Sequence, residues 1–213
     1  MDTIKSKYHE TLAATVIKNL EKRQMEGYYC PTVEDAEKLA FSFLKDGQTV
    51  SFGGSMTLEE TGMLTALRHD PSIHLIDRST AKTPDETKKM YHDALSSDVY
   101  FMSTNAITTG GELVNIDGTG NRVAALIYGP ETVVILAGMN KIAANVDEAL
   151  SRVHNVATVQ NCIRLDKKTP CAITGACADC LSPDCICNQV VITRRSGIKG
   201  RIKVLLIGES FGY

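Results

Sequence analysis

The chain has no excess of positive charge. Its 213 residues contain 23 Lys and Arg against 25 Asp and Glu, which gives a formal net charge of −2. A nucleic-acid-binding surface normally needs a strongly basic face. The sequence also has no uninterrupted apolar stretch close to the roughly 18 residues that a membrane span requires. These absences predict a protein with no nucleic-acid partner and no membrane span.

The N-terminal sequence MDTIKSK lacks the apolar core of a signal peptide. We therefore expect a cytoplasmic protein. Seven Cys is the one unusual count, and an odd number without an export signal favours reduced thiols or metal ligands over a disulfide framework. The length suits about one domain of the common size, and we expect a single α/β domain over residues 1–213 with a Cys-rich lobe at 162–188.

The first half of the chain alternates between helical and extended patterns. Such a rhythm implies right-handed crossovers and a mostly parallel sheet with helices on both faces. Capping residues support three of the helix starts, at Thr32, Thr57 and Thr83. The predicted helices are 5–25, 32–44, 57–68 and 83–95, and the predicted strands are 27–30, 49–52, 73–76 and 99–102.

The pattern changes after residue 111. The residues at 117–121 include Asp-Gly and Gly-Asn pairs, which tolerate the positive φ of tight turns, and they lie between two apolar runs. This arrangement predicts a hairpin of strands 112–116 and 122–127. Further on we expect a strand at 132–137, a helix at 145–154 and a last strand at 203–207. Residues 162–188 contain six of the seven Cys and have neither a helical nor a strand period.

One candidate ligand site follows the predicted strand 49–52. Loops at the carboxyl ends of parallel strands are where ligands bind in open α/β sheets, and free N–H groups at a helix start attract anions. The spacing matches neither G-x-G-x-x-G nor the P-loop, and two glycines also suit an ordinary turn. The candidate ligand-binding residues here are Gly53, Gly54, Ser55 and Thr57.

A second run of short polar side chains, at 103–112, follows the strand 99–102. We expect Thr104, Asn105 and Thr108 to face the first loop across a cleft and to bind one small anionic or hydroxylated ligand. Glu112 is a candidate catalytic nucleophile or base, although an exposed carboxylate at a strand start is the commoner arrangement. We expect Arg122 to be a surface cation.

The strongest chemical signal is the cysteine spacing. Thiolates two to six residues apart can gather on one loop around zinc or an iron–sulfur cluster. The spacing matches neither the bacterial ferredoxin run nor a paired zinc ribbon, so it leaves the metal open, and metal-free thiols remain the alternative. The predicted ligands are Cys171, Cys177, Cys180 and Cys187, with Cys185 as an alternate.

In combination, several motifs resemble the lactate-utilization (LUD) domain family. They are GGSMTLEETG at 53–62, NAITTGGELVNIDG at 105–118, NRVAALIYGP at 121–130, TGACADCLSP at 174–183 and RIKVLLIGESFGY at 201–213. The last two resemble a stand-alone branch with a Cys-rich C-terminal segment. The resemblance implies a fold like that of the ribose-phosphate isomerase, glucosamine-phosphate deaminase and CoA-transferase group. It also implies a link to lactate oxidation beside an iron–sulfur redox protein as partner.

These observations predict a protein that binds a small organic anion or phosphorylated metabolite in a cleft. If the thiols hold a cluster, it would take part in lactate oxidation and electron transfer. One alternative is a CoA-transferase-like or sugar-phosphate-isomerase-like enzyme without redox chemistry, in which Glu112 reacts. The other is a non-catalytic binding or assembly module.

Overall fold

A computed structural model describes residues 3–213, and within this range the chain forms nine α-helices and ten β-strands. The helices are α1 (Thr3–Lys22), α2 (Val33–Phe41), α3 (Met56–Glu60), α4 (Met63–His69), α5 (Pro84–Leu95), α6 (Asn121–Ile127), α7 (Val146–Arg152), α8 (Thr158–Arg164) and α9 (Pro170–Thr174). The strands are β1 (Glu26–Cys30), β2 (Thr49–Phe52), β3 (His74–Ile76), β4 (Val99–Met102), β5 (Ala106–Thr108), β6 (Leu113–Asp117), β7 (Thr132–Gly138), β8 (Ile142–Ala143), β9 (Gln189–Thr193) and β10 (Ile202–Ile207). A π-helical turn, Val153–Ala157, joins α7 to α8.

Six of the strands form a parallel sheet in the order β1-β10-β7-β4-β2-β3. This sheet confirms the predicted α/β class with a mostly parallel sheet. Along residues 3–213, no helix has both the length and the apolar character needed to cross a membrane.

Both faces of this sheet are covered. Alternate residues of a strand point to opposite faces, and in β4 Tyr100 and Met102 enter one apolar cluster while Val99 and Phe101 enter the other. Helix α1 covers the first face with Ala13, Val16 and Leu20 among its buried residues. The second face packs against α2, α3 and α4. The uninterrupted apolar runs of β4 and β7 therefore follow from burial on two sides.

Local capping explains two helix starts. Thr32 accepts a hydrogen bond from the backbone N–H of Asp35, whose carboxylate accepts one from Thr32 N–H, so both partners of a capping box are present. Thr83 caps α5 in the same way through Glu86 N–H, with Pro84 at the first helical position. Both caps were predicted from the sequence, but the cap predicted at Thr57 is wrong, because Ser55 caps α3 by accepting from Leu58 N–H.

A smaller sheet lies beside the first, with strand order β8-β5-β6-β9. Strand β6 pairs antiparallel with both β5 and β9. Its core includes Ala106, Val114, Ala149 and Val153. This sheet brings the residues after β6 to face the carboxyl ends of the parallel strands.

The hairpin predicted for 112–127 is wrong. Its first half is strand β6, but residues 121–127 form helix α6. The Asp117 carboxylate accepts hydrogen bonds from Thr119 and Gly120 N–H, and Gly120 takes φ 90° and accepts from Ala124 N–H. The turn therefore starts a helix, and β9 takes the place beside β6 that the hairpin assigned to 122–127.

Three other segments differ from the secondary structure predicted for them. The helix predicted at 57–68 is broken into α3 and α4 at Gly62, which has φ 73°. The loop predicted at 103–112 contains strand β5. The Cys-rich segment, residues 162–188, contains the end of α8 and the whole of α9, a helix too short for a periodic pattern to reveal.

Candidate functional site

A polar cleft lies at the carboxyl edge of the parallel sheet and has a volume of about 390 Å³. The loops after β2, β4 and β7 form one side, and the residues after β6, the start of α6 and one face of α8 form the other. This is the edge at which open α/β sheets bind ligands. The lining includes Gly54, Ser55, Thr57, Arg78, Ser103, Thr104, Asn105, Asp117, Arg122, Lys141, Thr158, Asn161, Arg164, Lys167, Cys185 and Tyr213.

The first predicted loop contributes three of its four predicted residues to this lining, Gly54, Ser55 and Thr57. Gly53 lies behind them, where its N–H donates to Phe101 O at 2.9 Å. A Cβ atom added to Gly54 would lie 2.1 Å from Arg78 Nη2. The glycine therefore allows the guanidinium group of Arg78 to lie against the loop at the edge of the cleft.

The second loop contributes Thr104 and Asn105. The Thr104 hydroxyl donates to Ala106 O at 3.0 Å, so it already holds the loop together. Asn105 Oδ1 accepts from Ile116 N–H and from Arg122 Nη2, both at 3.0 Å. The side chain of Asn105 thus orients a cation of the cleft. Thr108 is buried outside the lining.

Arg122 is not the surface cation that its position in the sequence suggests. Its side chain is only 13% exposed, and its Nε donates to Asp117 Oδ2 at 2.9 Å. Its Nη2 also donates to Ile116 O at 2.6 Å. The turn after β6 becomes a helix start, and this places Arg122 inside the cleft instead of at a hairpin tip.

Lys141 lies at the floor of the cleft and is 3% exposed. Its Nζ lies 3.1 Å from Ser103 Oγ and 3.3 Å from Thr104 O. Burial, with Arg152 and Arg122 nearby, lowers the pKa of Lys141 to about 7, although Glu60 acts in the opposite direction. The buried amine is therefore poised between its charged and neutral forms near neutral pH.

Gly212 and Tyr213 lie on one side of this amine. Tyr213 lines the cleft, Gly212 N–H donates to Glu60 Oε2 at 2.6 Å, and Asn140 Nδ2 donates to Gly212 O at 3.2 Å. A Cβ atom on Gly212 would lie 3.3 Å from Lys141 Nζ. The close approach of this backbone contributes to the burial of the lysine.

Cationic side chains predominate in the cleft. Among the described residues, the lining contains five Arg and Lys side chains and one Asp side chain. The single carboxylate, Asp117, is already paired with Arg122. The remaining cations are Arg78, Lys141, Arg164 and Lys167. The site therefore has an excess of positive charge, which favours an anionic ligand.

Glu112 lies outside this lining. Its carboxylate forms an ion pair with Arg23 and accepts a hydrogen bond from the Thr108 hydroxyl. Arg23 in turn donates to Gly110 O at 2.6 Å. The structure gives Glu112 a role in holding the 108–112 loop against α1, and its catalytic role stays a prediction.

The four predicted metal ligands do not gather around one point. Cys171 Sγ lies 3.2 Å from Thr169 Oγ1, Cys177 Sγ lies 3.7 Å from His154 Nδ1, and Cys180 Sγ lies 3.6 Å from Ser182 Oγ. In residues 3–213, no group of three or more His, Cys, Asp or Glu side chains is placed to hold a metal ion. The described residues therefore show no metal centre, and metal binding stays a prediction.

Some thiols are nevertheless neighbours. Burial, with Cys171 and Cys185 close by, raises the pKa of Cys162 to about 11. Burial, with Cys185 and Cys162 close by, raises the pKa of Cys187 to about 12. With no metal bound, these thiols are protonated near neutral pH, and a protonated thiol is a poor nucleophile. Only Cys185 reaches the cleft lining among the predicted metal ligands.

Sequence reasoning missed several residues of the cleft. Lys141 follows the buried strand β7, so its place at a carboxyl edge is a signal that the sequence contains. Arg78 has the same signal, since it lies just after β3, whereas Arg164 and Lys167 lie on or just after α8, whose packing places them. Their convergence depends on the tertiary structure.

One solved structure agrees with this fold over most of both chains. A DUF162 family protein from Deinococcus radiodurans superposes with a TM-score of 0.52 at 10% identity, over 93% of this chain and 98% of that chain. Ribose 5-phosphate isomerase A from Methanocaldococcus jannaschii gives a TM-score of 0.33 at 19% identity, over 53% of this chain and 54% of that one. The delta subunit of eIF2B from Chaetomium thermophilum gives a TM-score of 0.36 at 19% identity, over 52% of this chain and 48% of that one.

A search of curated proteins finds no significant match. The sequence profile of the LUD domain, in contrast, matches residues 13–207. That range runs from the middle of α1 to the end of β10, and it includes both sheets and most of the cleft. The chain therefore belongs to the LUD domain family.

Proposed function

We propose that the cleft binds a small organic anion or a phosphorylated metabolite. The observation that carries this proposal is the charge of the lining, where five Arg and Lys side chains face one Asp that is already paired. Arg78 and Arg164 have no carboxylate in the lining, Lys167 has only Asp184 outside it at 3.9 Å, and Lys141 adds charge when it is protonated. An anionic ligand would supply the missing negative charge.

The chemistry of the lining supports this class of ligand. Arg guanidinium groups bind carboxylates and phosphates through paired hydrogen bonds, and Lys supplies a point charge. Ser55 and Asn161 add a hydroxyl and an amide beside them. The volume of about 390 Å³ is at the lower end of the range for small-molecule sites.

Family membership indicates which ligands to test first. The resemblance to lactate-utilization proteins favours lactate and pyruvate, two carboxylates of nearly equal size. Inorganic phosphate represents the alternative class of phosphorylated metabolite. A role in lactate oxidation is the finer form of this proposal, and tighter binding of lactate and pyruvate than of phosphate would support it.

Binding is tested by thermal unfolding with each anion and with chloride at equal ionic strength. A ligand at 100 times its Kd stabilises the folded state by roughly 2.7 kcal/mol, so at least one of the three should raise Tm. The affinity should fall with added salt, because the attraction between charges is screened. If none of the three anions shifts Tm beyond the chloride control, the proposal is wrong.

A matched pair of variants locates the site. Arg78→Met removes a cation from the lining, and Arg195→Met removes one from an exposed position outside it. A hydrogen bond to a charged group contributes about 1.5–3 kcal/mol, so Arg78→Met should weaken the Kd by roughly tenfold or more. Arg195→Met should leave it unchanged. Equal effects of the two variants would mean that the anion binds through net charge alone.

A further inference from the structure

We propose that Lys141 forms an imine with the carbonyl group of an anionic ligand, which makes it the covalent catalytic residue of the cleft. The ligand class is a small carboxylate or phosphate that also bears an aldehyde or ketone. This inference rests on the proposed anion site and adds the chemistry that the site performs. Two features of the structure carry it, the position of the amine and the partners that it has.

The amine lies where a ligand in the cleft would meet it. Lys141 is the last residue of the short helical turn Met139–Lys141, directly after β7. Its side chain reaches the carboxyl end of β4, the neighbouring strand, at the floor of the cleft. Arg78 and Arg122 line the same cleft and supply charge for the anionic end of the ligand.

The hydrogen-bond partners of the neutral amine leave the lone pair of the nitrogen free for reaction. A neutral amine has two N–H bonds and one lone pair, and the two acceptors near Nζ, Ser103 Oγ and Thr104 O, account for both N–H bonds. Neither partner is a carboxylate, so no ion pair holds the amine in its charged form. A lysine that served only as a structural cation would need such a counter-charge when buried.

The charges around the amine favour its reactive form. Burial is the largest cause of the shift, followed by the charges of Arg152 and Arg122. Together they lower the pKa of Lys141 to about 7, while Glu60 opposes the shift. Arg152 is held by Asn140 O and Asn105 O, so its position is fixed. Desolvation and a neighbouring cation are the two ways in which proteins activate lysine as a nucleophile.

The covalent step is balanced without an oxidant or reductant. The neutral amine attacks the carbonyl carbon, a C–N bond forms, and the C=O π bond becomes a C–O–H group that takes a proton from nitrogen. The hydroxyl group of the carbinolamine then takes a proton from solvent and leaves as water, and the nitrogen lone pair forms the protonated C=N bond to Lys141. The positive charge of this imine withdraws electrons from the adjacent carbon, which is the use that enzymes make of Schiff bases.

The test is reductive trapping, with pyruvate and lactate as matched probes. Both are three-carbon carboxylates, but only pyruvate has a ketone. The protein is incubated near neutral pH with each probe and with sodium borohydride, which supplies hydride to reduce the C=N bond, and is then digested and mapped by mass spectrometry. With pyruvate, the Lys141 peptide should gain the mass of pyruvic acid less one oxygen atom.

Several controls make the result specific. At pH 7 about half of Lys141 is neutral, against fewer than about one in a thousand for a lysine of ordinary pKa, so its labelling should exceed that of the exposed Lys89 by more than tenfold. Lys88→Met removes an exposed lysine outside the lining and should retain the label. Lys141→Met and Lys141→Arg should both lose it.

The outcomes separate this inference from the proposed function. Label on Lys141 with pyruvate, and none with lactate, would support the imine. If pyruvate raises Tm but Lys141 stays unlabelled while Lys89 reacts, the anion site stands and the imine is overturned. If no anion raises Tm and no label reaches Lys141, both proposals fail. The mapping uses the wild-type chain, so a variant that fails to fold does not leave the question open.

Discussion

The cleft and the Cys-rich segment differ in what their residues contact. In the cleft, weakly diagnostic residues such as Asn105 and Arg122 are joined through shared hydrogen bonds at a sheet edge. In the Cys-rich segment, the chemically distinctive thiols are buried or half-buried, but among the described residues no three of them are placed to hold a metal ion, and Leu181 between them is 99% exposed. The comparison teaches that a functional site depends on elements that bring side chains to one point. Distinctive residue types alone do not produce it.

The largest expected difference between these regions is in packing. Phe101 is fully buried in the central strand β4, so Phe101→Ala should lower the free energy of unfolding by about 3–5 kcal/mol through lost burial and a cavity. Leu181→Ala, in the Cys-rich segment, should change it by less than about 0.5 kcal/mol. Urea unfolding of both variants measures this. A large loss in Leu181→Ala would show that the segment packs against a partner surface.

The next effect concerns the ion pair beside the cleft. Arg122→Met leaves Asp117 without its cation and should cost about 3 kcal/mol, the lower end of the range for broken buried pairs because the cleft admits water. Lys89→Met breaks the exposed pair with Asp93 and should cost at most about 1 kcal/mol. Equal costs in denaturant unfolding would mean that Arg122 is solvated like a surface residue.

A pH effect distinguishes the floor of the cleft from all exposed lysines. The pKa of Lys141 is about 7 in the folded protein against an ordinary value of 10.5, so the unfolded chain binds more protons between these two values. The contribution of Lys141 to the free energy of unfolding therefore rises with pH across this window, by up to about 1.4 kcal/mol per unit. Below pH 7 both states are protonated and the contribution is constant.

Urea unfolding from about pH 7 to about pH 9 measures this rise, and Lys141→Met provides the control. Because Met does not titrate, the stability of wild type relative to the variant should increase with pH. Curves that stay parallel across the window would show that Lys141 keeps its ordinary affinity for protons.

The smallest effect is expected in the Cys-rich segment itself. Cys177 Sγ has two long contacts, with His154 Nδ1 at 3.7 Å and with the N–H of Asp179 at 3.5 Å. Cys177→Ala should therefore change the free energy of unfolding by at most about 0.5 kcal/mol and leave anion affinity unchanged. Metal and sulfide analysis of wild type and variant after anaerobic purification completes the test. Stoichiometric metal in wild type that is lost in Cys177→Ala would restore the predicted metal centre.

The main fold was predictable because its signals are local. Capping at Thr32 and Thr83 involves residues within one helical turn, and buried parallel strands such as β7 appear as short apolar runs. The error at 122–127 has the opposite origin. The turn signal at 117–120 is real, but the same turn can start a strand or a helix, and the pairing of β6 with β9, more than 70 residues later, leaves no place for a hairpin.

The candidate site was predictable only in part. Gly54, Ser55, Thr57, Thr104 and Asn105 line the cleft, and all follow strands whose carboxyl ends the sequence indicates. Thr108 and Glu112 belong to the same polar run, but a strand, β5, turns them away toward Arg23. Sequence proximity to a site does not fix the direction of a side chain when an unrecognised strand intervenes.

The sequence by itself determined the alternating helices and strands of the main sheet, since hydrophobic periodicity and helix capping act over a few neighbouring residues. Only the tertiary structure decided which polar groups meet. Lys141 contacts Ser103 across 38 positions of sequence because β4 and β7 are neighbours in the sheet. Burial there removes water from the amine, and that loss of solvation lowers its pKa.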